Sequence, residues 1–359
     1  MKILSITNMY PSKNYPNYGV FVKNFNEQLE EQGISVKVIK IEKANFRFKK
    51  ILNYFELNFF TFFYIILGDY DYIYVHYPAM TGLSVLIARK IKKNIKIISN
   101  LHGNDLIPEV NSDKKYIWIT KKIIKYSVKV VVPSYYFKKI VETNFKNKEI
   151  QVYPSGGVNL NIFKNISRFK ACRALKLSEN YRYIGFISRI EHNKGWDIFL
   201  KAFSRFSTKN LNVKAIIVGD GLEYRDMMKL IIELDLENKI ILSKLVPQNI
   251  VNLYMNSLDI FCFPTMRKSE SLGLVGLEAM ATGTVVIASD KYGPSSYVKE
   301  SENGFVFETG NFLSLEKKIS EVYNLSEVER KVVVQNAFKT AQEYSVEEMH
   351  SRLRKIMEI

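Results

Sequence analysis

The chain alternates short apolar runs, rich in β-branched and aromatic residues, with polar loops and longer amphipathic stretches. Most of the short runs are continuous rather than alternating, which is typical of parallel strands covered by helices on both faces. Amphipathic stretches such as residues 22–32 and 224–234 lie between them and predict helices. This order predicts a doubly wound α/β fold. The predicted strands are residues 2–10, 35–41, 71–77, 96–101, 129–133, 150–153, 183–188, 213–218, 239–245, 259–263, 285–289 and 304–308.

The predicted strands fall into two sets, one in each half of the chain. At 359 residues the chain is also longer than one ordinary domain. We therefore predict two Rossmann-like domains, residues 1–165 and residues 166–345. The segment 159–179 is polar and basic with few strand formers, and it is predicted to link them.

Composition excludes several classes of protein. Hydrophobic residues make up 47% and charged residues 25% of the chain, which excludes global disorder. Cys172 and Cys262 lie far apart, which argues against a disulfide framework or a cysteine zinc site. The apolar run before Pro11 is too short for a signal peptide, and no run reaches the length of a membrane-spanning helix. We expect a cytoplasmic protein.

The positive charge of the chain is concentrated in its first half. Residues 1–165 carry 25 Lys and Arg against 12 Asp and Glu, whereas residues 166–359 carry 27 against 24. The two parts thus have net charges of +13 and +3, which sum to the +16 of the whole chain. A basic first half indicates an anionic partner, such as a nucleic acid, a diphosphate lipid or a membrane surface. No helix-turn-helix, RNP or zinc-finger pattern is present, so we expect no nucleic acid partner.

Unusual residues directly follow five of the predicted strands, where ligands bind in doubly wound sheets. Their spread over both halves predicts a ligand gripped in a cleft between the two domains. No GxGxxG follows the first strand, which argues against a dinucleotide oxidoreductase. The segments are HGND at 102–105, PSGGVN at 154–159, SRIEHNKGWD at 188–197, GDGLE at 219–223 and the acidic segment around Glu270.

Two glutamates in the segment 264–289 are separated by seven residues. Glu270 precedes a predicted helix whose start lies near Gly273, and Glu278 lies within it. Eight residues at 1.5 Å rise span about 12 Å, which suits one carboxylate at each end of an extended nucleotide-sugar. Free N–H groups at the helix start can face an anion. Taken alone, the two glutamates are better explained as an ordinary helix residue and a first-turn charge that supports the helix dipole.

This segment resembles the E-x7-E signature of retaining GT-B glycosyltransferases of family 4. Further matches follow in the family's order, among them G-x-x-S-R-I-x-x-x-K-G-W-D at 185–197 and I-V-G-D-G at 217–221. The resemblance covers about residues 1–325. It implies GT-B architecture, with two Rossmann-like doubly wound domains facing a cleft. It also implies a final helix, residues 346–359, that crosses back to the first domain.

The resemblance implies roles for residues of the second domain. Arg189 and Lys194 would bind the donor diphosphate, Glu270 would lie beside the transferred sugar, and Glu278 would accept hydrogen bonds from the ribose hydroxyls. Met266, Arg267 and Lys268 stand where the family often has a glycine or a Glu-Gly pair, which blurs the donor's identity. The backbone groups that the resemblance assigns to the donor are those of Ser271, Leu272 and Gly273 for sugar and phosphate, and of Val246 for the base.

In the first domain the resemblance implies that His102 faces the donor sugar and that Gly19 lies in the loop where acceptor and phosphate approach. His76 and His192 are interpreted as structural or surface histidines. No Asp-x-Asp pair or histidine cluster lies at a strand end, and the family needs no metal, so we expect neither a metal nor another cofactor.

The activity implied is transfer of a hexose from a nucleotide-sugar, UDP- or GDP-linked, to an acceptor hydroxyl with retention of configuration. We expect a lipid-linked glycan acceptor in bacterial surface polysaccharide synthesis. No second carboxylate is evident opposite the donor, which favours front-face substitution over the double displacement of glycosidases. The alternatives are a nucleotide-sugar epimerase of GT-B architecture and a non-catalytic nucleotide-sugar-binding subunit.

The stretch 43–67 combines a basic start with a long aromatic and aliphatic run. One interpretation is a core helix preceded by solvated lysines. The other is an interfacial element that lies on an anionic membrane on the cytoplasmic side and presents a lipid-linked acceptor. Four lysines of a nearby predicted helix and strand are expected to add to the same surface: Lys121, Lys122, Lys125 and Lys129.

Overall fold

The computed structural model describes residues 1–15, 18–44, 46–154 and 156–358. The remaining five positions lie outside the described residues, although they belong to the glycine loop, the stretch 43–67, the PSGGVN motif and the final helix discussed above. They are Pro16, Asn17, Asn45, Ser155 and Ile359. The chain forms two compact units, which we call unit 1 (Met1–Gly156 with Met349–Ile359) and unit 2 (Gly157–Glu348). The division lies before the predicted boundary at residue 165.

Unit 1 is built on a sheet of six parallel strands in the order β2-β1-β3-β4-β5-β6. Side chains of the central strands, such as Ile3, Leu4 and Val75, are fully buried because helices cover both faces. The strands are β1 (Lys2–Tyr10), β2 (Ser35–Glu42), β3 (Tyr72–His76), β4 (Ile97–Asn100), β5 (Ser127–Val132) and β6 (Glu149–Val152).

The last helix of the chain packs on the sheet of unit 1. Met349, Leu353 and Ile356 lie in one core cluster with residues of the sheet and of the first helix. Lys129 is buried and donates to the carbonyl of Ile356 at 2.9 Å, so the expectation that it adds to an exposed basic surface is wrong. The helices of unit 1 are α1 (Val20–Glu31), α2 (Arg47–Leu67), α3 (Pro78–Ile91), α4 (Asn111–Lys114), α5 (Ile117–Tyr126), α6 (Tyr135–Asn144) and, at the end of the chain, α14 (Val346–Met357).

Helix α2 does not have the burial of a core helix. Its buried residues are Leu57, Thr61 and Ile65, which form a single narrow stripe toward the sheet. Tyr54, Phe62, Tyr64 and Ile66 pack partly against the core, whereas most of its other apolar side chains are exposed, with Phe48 and Phe55 each about 70% exposed (73% and 68%). The interpretation of residues 43–67 as an ordinary core helix is therefore wrong for most of this helix.

Unit 2 contains a second sheet of six parallel strands, in the order β12-β11-β10-β7-β8-β9. The chain runs outward from β7 to β8 on one side and from β10 to β11 on the other, so the strand order reverses between β7 and β10. The strands are β7 (Arg182–Ile187), β8 (Val213–Val218), β9 (Ile240–Ser243), β10 (Ile260–Phe263), β11 (Val285–Ser289) and β12 (Phe305–Phe307).

The predicted linker at residues 159–179 belongs to the folded core of unit 2, so this prediction is wrong. Phe163 and Cys172 are buried in a cluster with strand and helix residues. The side chain of Asn256 accepts from the N–H of Ile166 at 2.7 Å, which fixes the segment's backbone. The helices of unit 2 are α7 (Arg168–Ala174), α8 (Trp196–Lys209), α9 (Tyr224–Glu233), α10 (Gln248–Ser257), α11 (Leu274–Thr282), α12 (Phe312–Tyr323) and α13 (Glu327–Glu343), with a 3₁₀ turn at Gly293–Ser296.

All twelve predicted strands are present with small shifts at their ends, and the doubly wound α/β prediction is confirmed. The apolar runs were sufficient to locate the strands because parallel strands buried on both faces carry few polar residues. Among the helices of the described residues, none combines the length and the hydropathy that crossing a bilayer requires.

Candidate donor site and histidine pair

The carboxyl ends of β7 and β10 lie side by side at the reversal point of the second sheet. In doubly wound folds such a point leaves a crevice where ligands bind, because the chain leaves the two strands in opposite directions. The loop after β7 carries Arg189 and Lys194, and the loop after β10 carries Glu270. The fold of unit 2 therefore brings these three predicted site residues to one place.

The two loops are held together through their backbones. Gly195 begins α8 with φ of 80°, and a Cβ atom there would lie 1.9 Å from the carbonyl oxygen of Pro264. The N–H of Met266 donates to the carbonyl of Asn193 at 2.8 Å. Only glycine permits this approach of one loop to the other, which explains the glycine that follows Lys194 in the sequence.

A buried ion pair joins the loops at their centre. The ammonium group of Lys194 donates to Glu270 Oε2 at 2.6 Å, and the two side chains are only 11% and 13% exposed. Thr265 Oγ1 donates to the same carboxylate oxygen at 3.3 Å. Burial by itself would raise the pKa of Glu270, but the charge and hydrogen bond of Lys194, together with the charge of Arg267, lower that pKa below its ordinary value. Glu270 is therefore an ionised carboxylate.

Arg189 lies at the solvent side of this pair, with its side chain 57% exposed. Its guanidinium donates to Glu191 Oε1 at 2.9 Å, and the other oxygen of Glu191 lies 3.8 Å from Arg267. Glu191 thus lies between two cations. Sequence reasoning missed both Glu191 and Arg267 as site residues, although the position of Arg267, three residues before Glu270, was a usable signal.

The segment Ser271–Gly273 leads from Glu270 into α11 and fixes the position of that helix's first turn. Gly273 precedes the helix with φ of 82°, and a Cβ atom there would lie 2.3 Å from the ring of Phe263. Tyr297 Oη donates to the carbonyl of Gly273 at 2.8 Å. The first N–H groups of a helix have no acceptor within it, and they favour an anion. The side chain of Leu272 is buried, so the residue can contact a ligand here only through its backbone groups.

Glu278 lies on α11 and makes no hydrogen bond or ion pair with any part of the chain that the structure describes. Burial raises its pKa to about 7. Burial likewise raises the pKa of Tyr297 well above the ordinary value, and the charges of Glu270 and Glu278 add to this. The charges of both carboxylates therefore act on Tyr297. Within the described residues Glu278 has no hydrogen-bond or ion-pair partner, as expected of a ligand-binding carboxylate.

Val246, the predicted base-reading residue, lies in the loop between β9 and α10. Its side chain is partly buried against the apolar core of unit 2. Because the valine side chain is apolar, a ligand could form hydrogen bonds only with the backbone groups of Val246.

In unit 1, His102 follows β4 and contacts His76, the last residue of β3. His76 Nδ1 lies 3.1 Å from His102 Nε2, so one of the two nitrogens donates to the other. Burial lowers the pKa of His102 to about 3, and burial with the nearby His102 lowers that of His76 well below its ordinary value. Both rings are therefore neutral, and His76, interpreted from the sequence as structural or surface, fixes the position of His102. Tyr77 stacks on the His102 ring, with 4.4 Å between the ring centres.

The HGND turn is held by Asp105. Its carboxylate accepts from the N–H groups of His102 at 3.0 Å and Gly103 at 2.8 Å, and Thr120 donates to its carbonyl at 2.8 Å. Burial raises the pKa of Asp105 to about 6 despite these hydrogen bonds. The aspartate of this motif is thus a structural residue that orients His102.

Gly19 precedes α1 with φ of 74°, and a Cβ atom there would lie 2.5 Å from the carbonyl carbon of Met9. The close approach of α1 to the end of β1 therefore requires glycine. Phe21, two residues later, lies 5.1 Å from the ring of His102. Unit 1 thus brings the glycine loop and His102 near each other at the carboxyl edge of its sheet.

Comparison with known proteins assigns this architecture. Residues 167–340 match the family Glycosyl transferases group 1, and residues 18–157 match Glycosyltransferase Family 4. The chain belongs to glycosyltransferase family 4. Members of this family act with retention of configuration, so the chain is a retaining glycosyltransferase, and the sequence-based identification is confirmed.

Three curated relatives are 27–29% identical to this chain. An uncharacterised glycosyltransferase of Methanocaldococcus jannaschii is 27% identical over 80% of this chain and 75% of its own length. The N-acetyl-alpha-D-glucosaminyl L-malate synthase of Bacillus anthracis is 27% identical over 67% of this chain and 62% of its own length. The capsular polysaccharide biosynthesis glycosyltransferase CapM of Staphylococcus aureus is 29% identical over 41% and 38%.

Solved structures show the same fold across the whole chain. Sucrose-phosphate synthase from Thermosynechococcus elongatus is 16% identical, with a TM-score of 0.81 over 100% of this chain and 98% of that one. Anabaena HepE, solved with UDP and glucose, is 19% identical, with a TM-score of 0.76 over 100% and 99%. The fold is therefore GT-B. Within the residues that the structure describes, His, Cys, Asp and Glu form no group of three or more that could hold a metal ion.

Proposed function

We propose that this enzyme transfers a hexose from a UDP- or GDP-sugar to a hydroxyl of a lipid-linked glycan, with the donor bound at the reversal point of the unit 2 sheet. One observation carries the proposal: the fold assembles there a buried Lys194–Glu270 pair, a helix N-terminus and Glu278, which forms no hydrogen bond or ion pair within the described residues. That HepE was solved with UDP and glucose supports a nucleotide-sugar donor.

Positive groups would bind the donor's diphosphate. Lys194 supplies a fixed ammonium, and Arg189 is exposed enough to leave Glu191 and form a bidentate contact with phosphate oxygens. The N–H groups at the start of α11 add partial positive charge where the nucleoside diphosphate leaves. We propose that these groups stabilise the leaving group without a divalent metal, so that activity survives an excess of EDTA. Loss of activity on chelation, restored by Mg²⁺ or Mn²⁺, would contradict this.

The two glutamates would take different parts of the donor. Glu278 makes no hydrogen bond or ion pair with the described residues, so its carboxylate is available to both ribose hydroxyls. Glu270 has one oxygen engaged by Lys194 and Thr265, which leaves the other to accept from a sugar hydroxyl. The backbone groups of Ser271, Leu272 and Gly273 would bind sugar and phosphate, and that of Val246 would bind the base. His102 would approach the sugar from unit 1.

Retention would follow from attack on the face from which the nucleotide leaves. A double displacement needs a free carboxylate nucleophile. Glu270 is instead held by a cation and a hydroxyl group, which suits a hydrogen-bond acceptor better than a nucleophile.

The outer surface of unit 1 supports a membrane-bound acceptor. Aromatic side chains of α2 contact one another in solvent, with Phe59 and Phe63 rings 4.5 Å apart, and lysines flank them at the start of the helix. Exposed apolar residues surrounded by basic ones are typical of surfaces that lie on anionic bilayers. We propose that this aromatic face rests on the inner surface of the cytoplasmic membrane. Its exposed apolar residues on α2, α3 and α5 are Phe48, Ile51, Leu52, Phe55, Phe59, Phe60, Phe63, Leu67, Leu83, Ile87, Ile91 and Trp118.

Low-identity relatives support a role in surface polysaccharide synthesis. CapM is a capsular polysaccharide biosynthesis enzyme, and a Salmonella typhimurium relative, 24% identical over 62% of this chain, is a lipopolysaccharide 1,2-N-acetylglucosaminetransferase. We propose a step in the synthesis of a bacterial surface polysaccharide.

The donor is tested by thermal unfolding of the full chain with UDP-, GDP- and ADP-sugars, because a bound donor raises the apparent stability. Arg189→Ala and Lys194→Ala should each weaken nucleoside diphosphate binding by about 1.5–3 kcal/mol, the range for hydrogen bonds to charged groups. Arg205→Ala, on the exposed side of α8, is the matched control and should leave binding unchanged. Equal affinities in all three variants would contradict the donor assignment.

The membrane contact is tested by sedimentation with phosphatidylglycerol vesicles and with neutral phosphatidylcholine vesicles. Replacing Phe55, Phe59 and Phe63 by Ser should reduce binding to the anionic vesicles without loss of folding, because these side chains are exposed. Raised salt should weaken binding as well. The control replaces three exposed apolar residues of unit 2 by Ser: Leu211, Leu222 and Val328. If both triple variants bind as the original chain does, the aromatic face is not a membrane contact.

A further inference from the structure

Unit 1 contains a groove of about 600 Å³ between the edge strand β2 and helix α2. Residues 12–15, which follow β1, also line the groove, so the groove reaches the carboxyl edge of the sheet. The other wall includes Phe60, whose ring contacts Phe59 of the aromatic face at 5.6 Å between ring centres. The groove thus runs beside the proposed membrane contact.

The groove is strongly basic. Five lysines and two glutamates line it. Within the described residues, Lys40 is the only one of these lysines that forms an ion pair, with 3.7 Å between its Nζ and Glu42 Oε1. The other four lysines form no ion pair in that part of the chain. Their positive charge would attract an anionic ligand. These four are Lys13, Lys37, Lys43 and Lys49.

Aromatic rings hold several of the ammonium groups at the groove. Lys37 lies 4.9 Å from the ring centre of Tyr64, and Lys43 lies 4.5 Å from that of Tyr15. Such cation–π contacts limit the positions of a flexible lysine side chain without neutralising its charge. The cations therefore remain available to a ligand in the groove.

We infer that this groove binds the diphosphate group that joins the acceptor glycan to its lipid. Compact lysine charges suit phosphate oxygens, and the position beside the aromatic face suits a phosphate whose lipid chain stays in the bilayer. The inference rests on the proposed function, since it specifies the acceptor of the same reaction. The groove lies wholly in unit 1 and uses none of the residues assigned to the donor.

The test measures sedimentation of the full chain with phosphatidylcholine vesicles that contain undecaprenyl diphosphate, with saturating UDP present to fill the donor site. Vesicles of equal charge made with phosphatidylglycerol report general attraction to a charged surface. A groove variant replaces Lys37, Lys43 and Lys49 by Gln. A control variant of the same charge replaces three exposed lysines elsewhere in unit 1 by Gln: Lys114, Lys139 and Lys146.

The original chain should bind the undecaprenyl diphosphate vesicles more tightly than the phosphatidylglycerol vesicles. The groove variant should lose about 100-fold of that binding, because each basic residue near an anionic surface contributes about a fivefold factor. The control variant should keep it. Equal binding to both kinds of vesicle, or equal losses in both variants, would overturn the inference.

Two further measurements separate the possible causes of failure. Inorganic diphosphate, added with UDP, should bind the original chain in solution and should bind the groove variant more weakly. If that difference appears while the vesicle preference does not, the assignment to a lipid-borne diphosphate is overturned. UDP binding, measured on the groove variant by thermal unfolding, should be unchanged, and a chain that binds no nucleotide at all would contradict the proposed donor function instead.

Discussion

The two units have the same kind of sheet but use its carboxyl edge differently. In unit 2 the neighbouring strand ends carry a charged pair, Lys194 and Glu270, buried together and tied by a short hydrogen bond. In unit 1 the corresponding pair is His76 and His102, both neutral because burial lowers their pKa values. Away from these edges, unit 1 is the unit with the charged and apolar surface features, namely the exposed aromatic helix α2 and the lysine-lined groove.

This difference fits the proposed division of work, in which unit 2 binds the nucleotide-sugar and unit 1 binds the acceptor. A nucleotide-sugar presents the same diphosphate and ribose to every enzyme that uses it, so its site can be built from fixed charges and short motifs. An acceptor differs from one enzyme to another, and its binding depends on surface chemistry. The charge split between the halves, +13 against +3, follows the same division.

The largest expected effect comes from breaking the charged pair of unit 2. Lys194→Met leaves a buried carboxylate without its cation, which should lower the free energy of unfolding by about 3–5 kcal/mol. The double variant with Glu270→Gln should recover part of this loss, because the unpaired charge is then absent. Arg189→Met, on an exposed side chain, should change stability by less than about 0.5 kcal/mol. Urea unfolding of the four proteins checks this, and a cost below about 1 kcal/mol for Lys194→Met would contradict a buried pair.

A second variant tests the start of α11. Gly273→Ala adds a Cβ atom 2.3 Å from Phe263 at a φ of 82°, so we expect a loss of about 2–4 kcal/mol in unfolding free energy and weaker UDP binding. Gly33→Ala is the control, since it has nearly the same φ, 80°, and no atom within 4 Å. It should cost about 1–2 kcal/mol, the cost of a left-handed conformation alone. Equal costs at both positions would show that Phe263 does not constrain the helix start.

The sequence was sufficient for the sheets and for three neighbouring residues of the candidate donor site. Strands buried on both faces appear as apolar runs, and the loops after them carry Arg189, Lys194 and Glu270 within recognisable motifs. The sequence did not show which apolar residues are buried and which are exposed. An apolar run such as that of α2 fits a core or a surface equally well, and only the packing shows that three of its residues are buried.

Contacts between distant residues were also beyond the sequence. His76 and His102 are far apart along the chain, and Tyr297 reaches Gly273 from another loop. Phe163 and Cys172 made a polar segment part of the core of unit 2, where the composition had indicated a linker. In each case the decisive property was the side chain's position in three dimensions.

The pH dependence of donor binding separates Glu278 from the neutral histidines. Its pKa of about 7 in the free protein must fall when ribose hydroxyls donate to the carboxylate, so binding releases a proton below pH 7. UDP affinity should therefore fall about fivefold from pH 7 to pH 6 and about tenfold per pH unit below that, in addition to the titration of UDP itself. His102, with a pKa of about 3, does not titrate in this window.

Glu278→Gln is the control, because it should show only the titration of UDP. Calorimetry in two buffers of different ionisation enthalpy measures the protons released. Identical pH profiles for the two proteins would mean that Glu278 does not contact the nucleotide.

The smallest effect is expected from Tyr297, which holds the helix start through one neutral hydrogen bond. Tyr297→Phe removes its donor to Gly273 and should cost about 1 kcal/mol of stability. UDP binding should weaken by a comparable amount, because the first turn of α11 loses one constraint. Thermal unfolding with and without UDP measures both, and a change in stability alone would limit Tyr297 to a packing role.

The most direct test of the account is a crystal structure of the full chain with UDP. We predict diphosphate oxygens within hydrogen-bond distance of Lys194, Arg189 and the first N–H groups of α11, and both ribose hydroxyls on the carboxylate of Glu278. UDP bound at another part of the chain, or bound here with its ribose away from Glu278, would contradict the central claim.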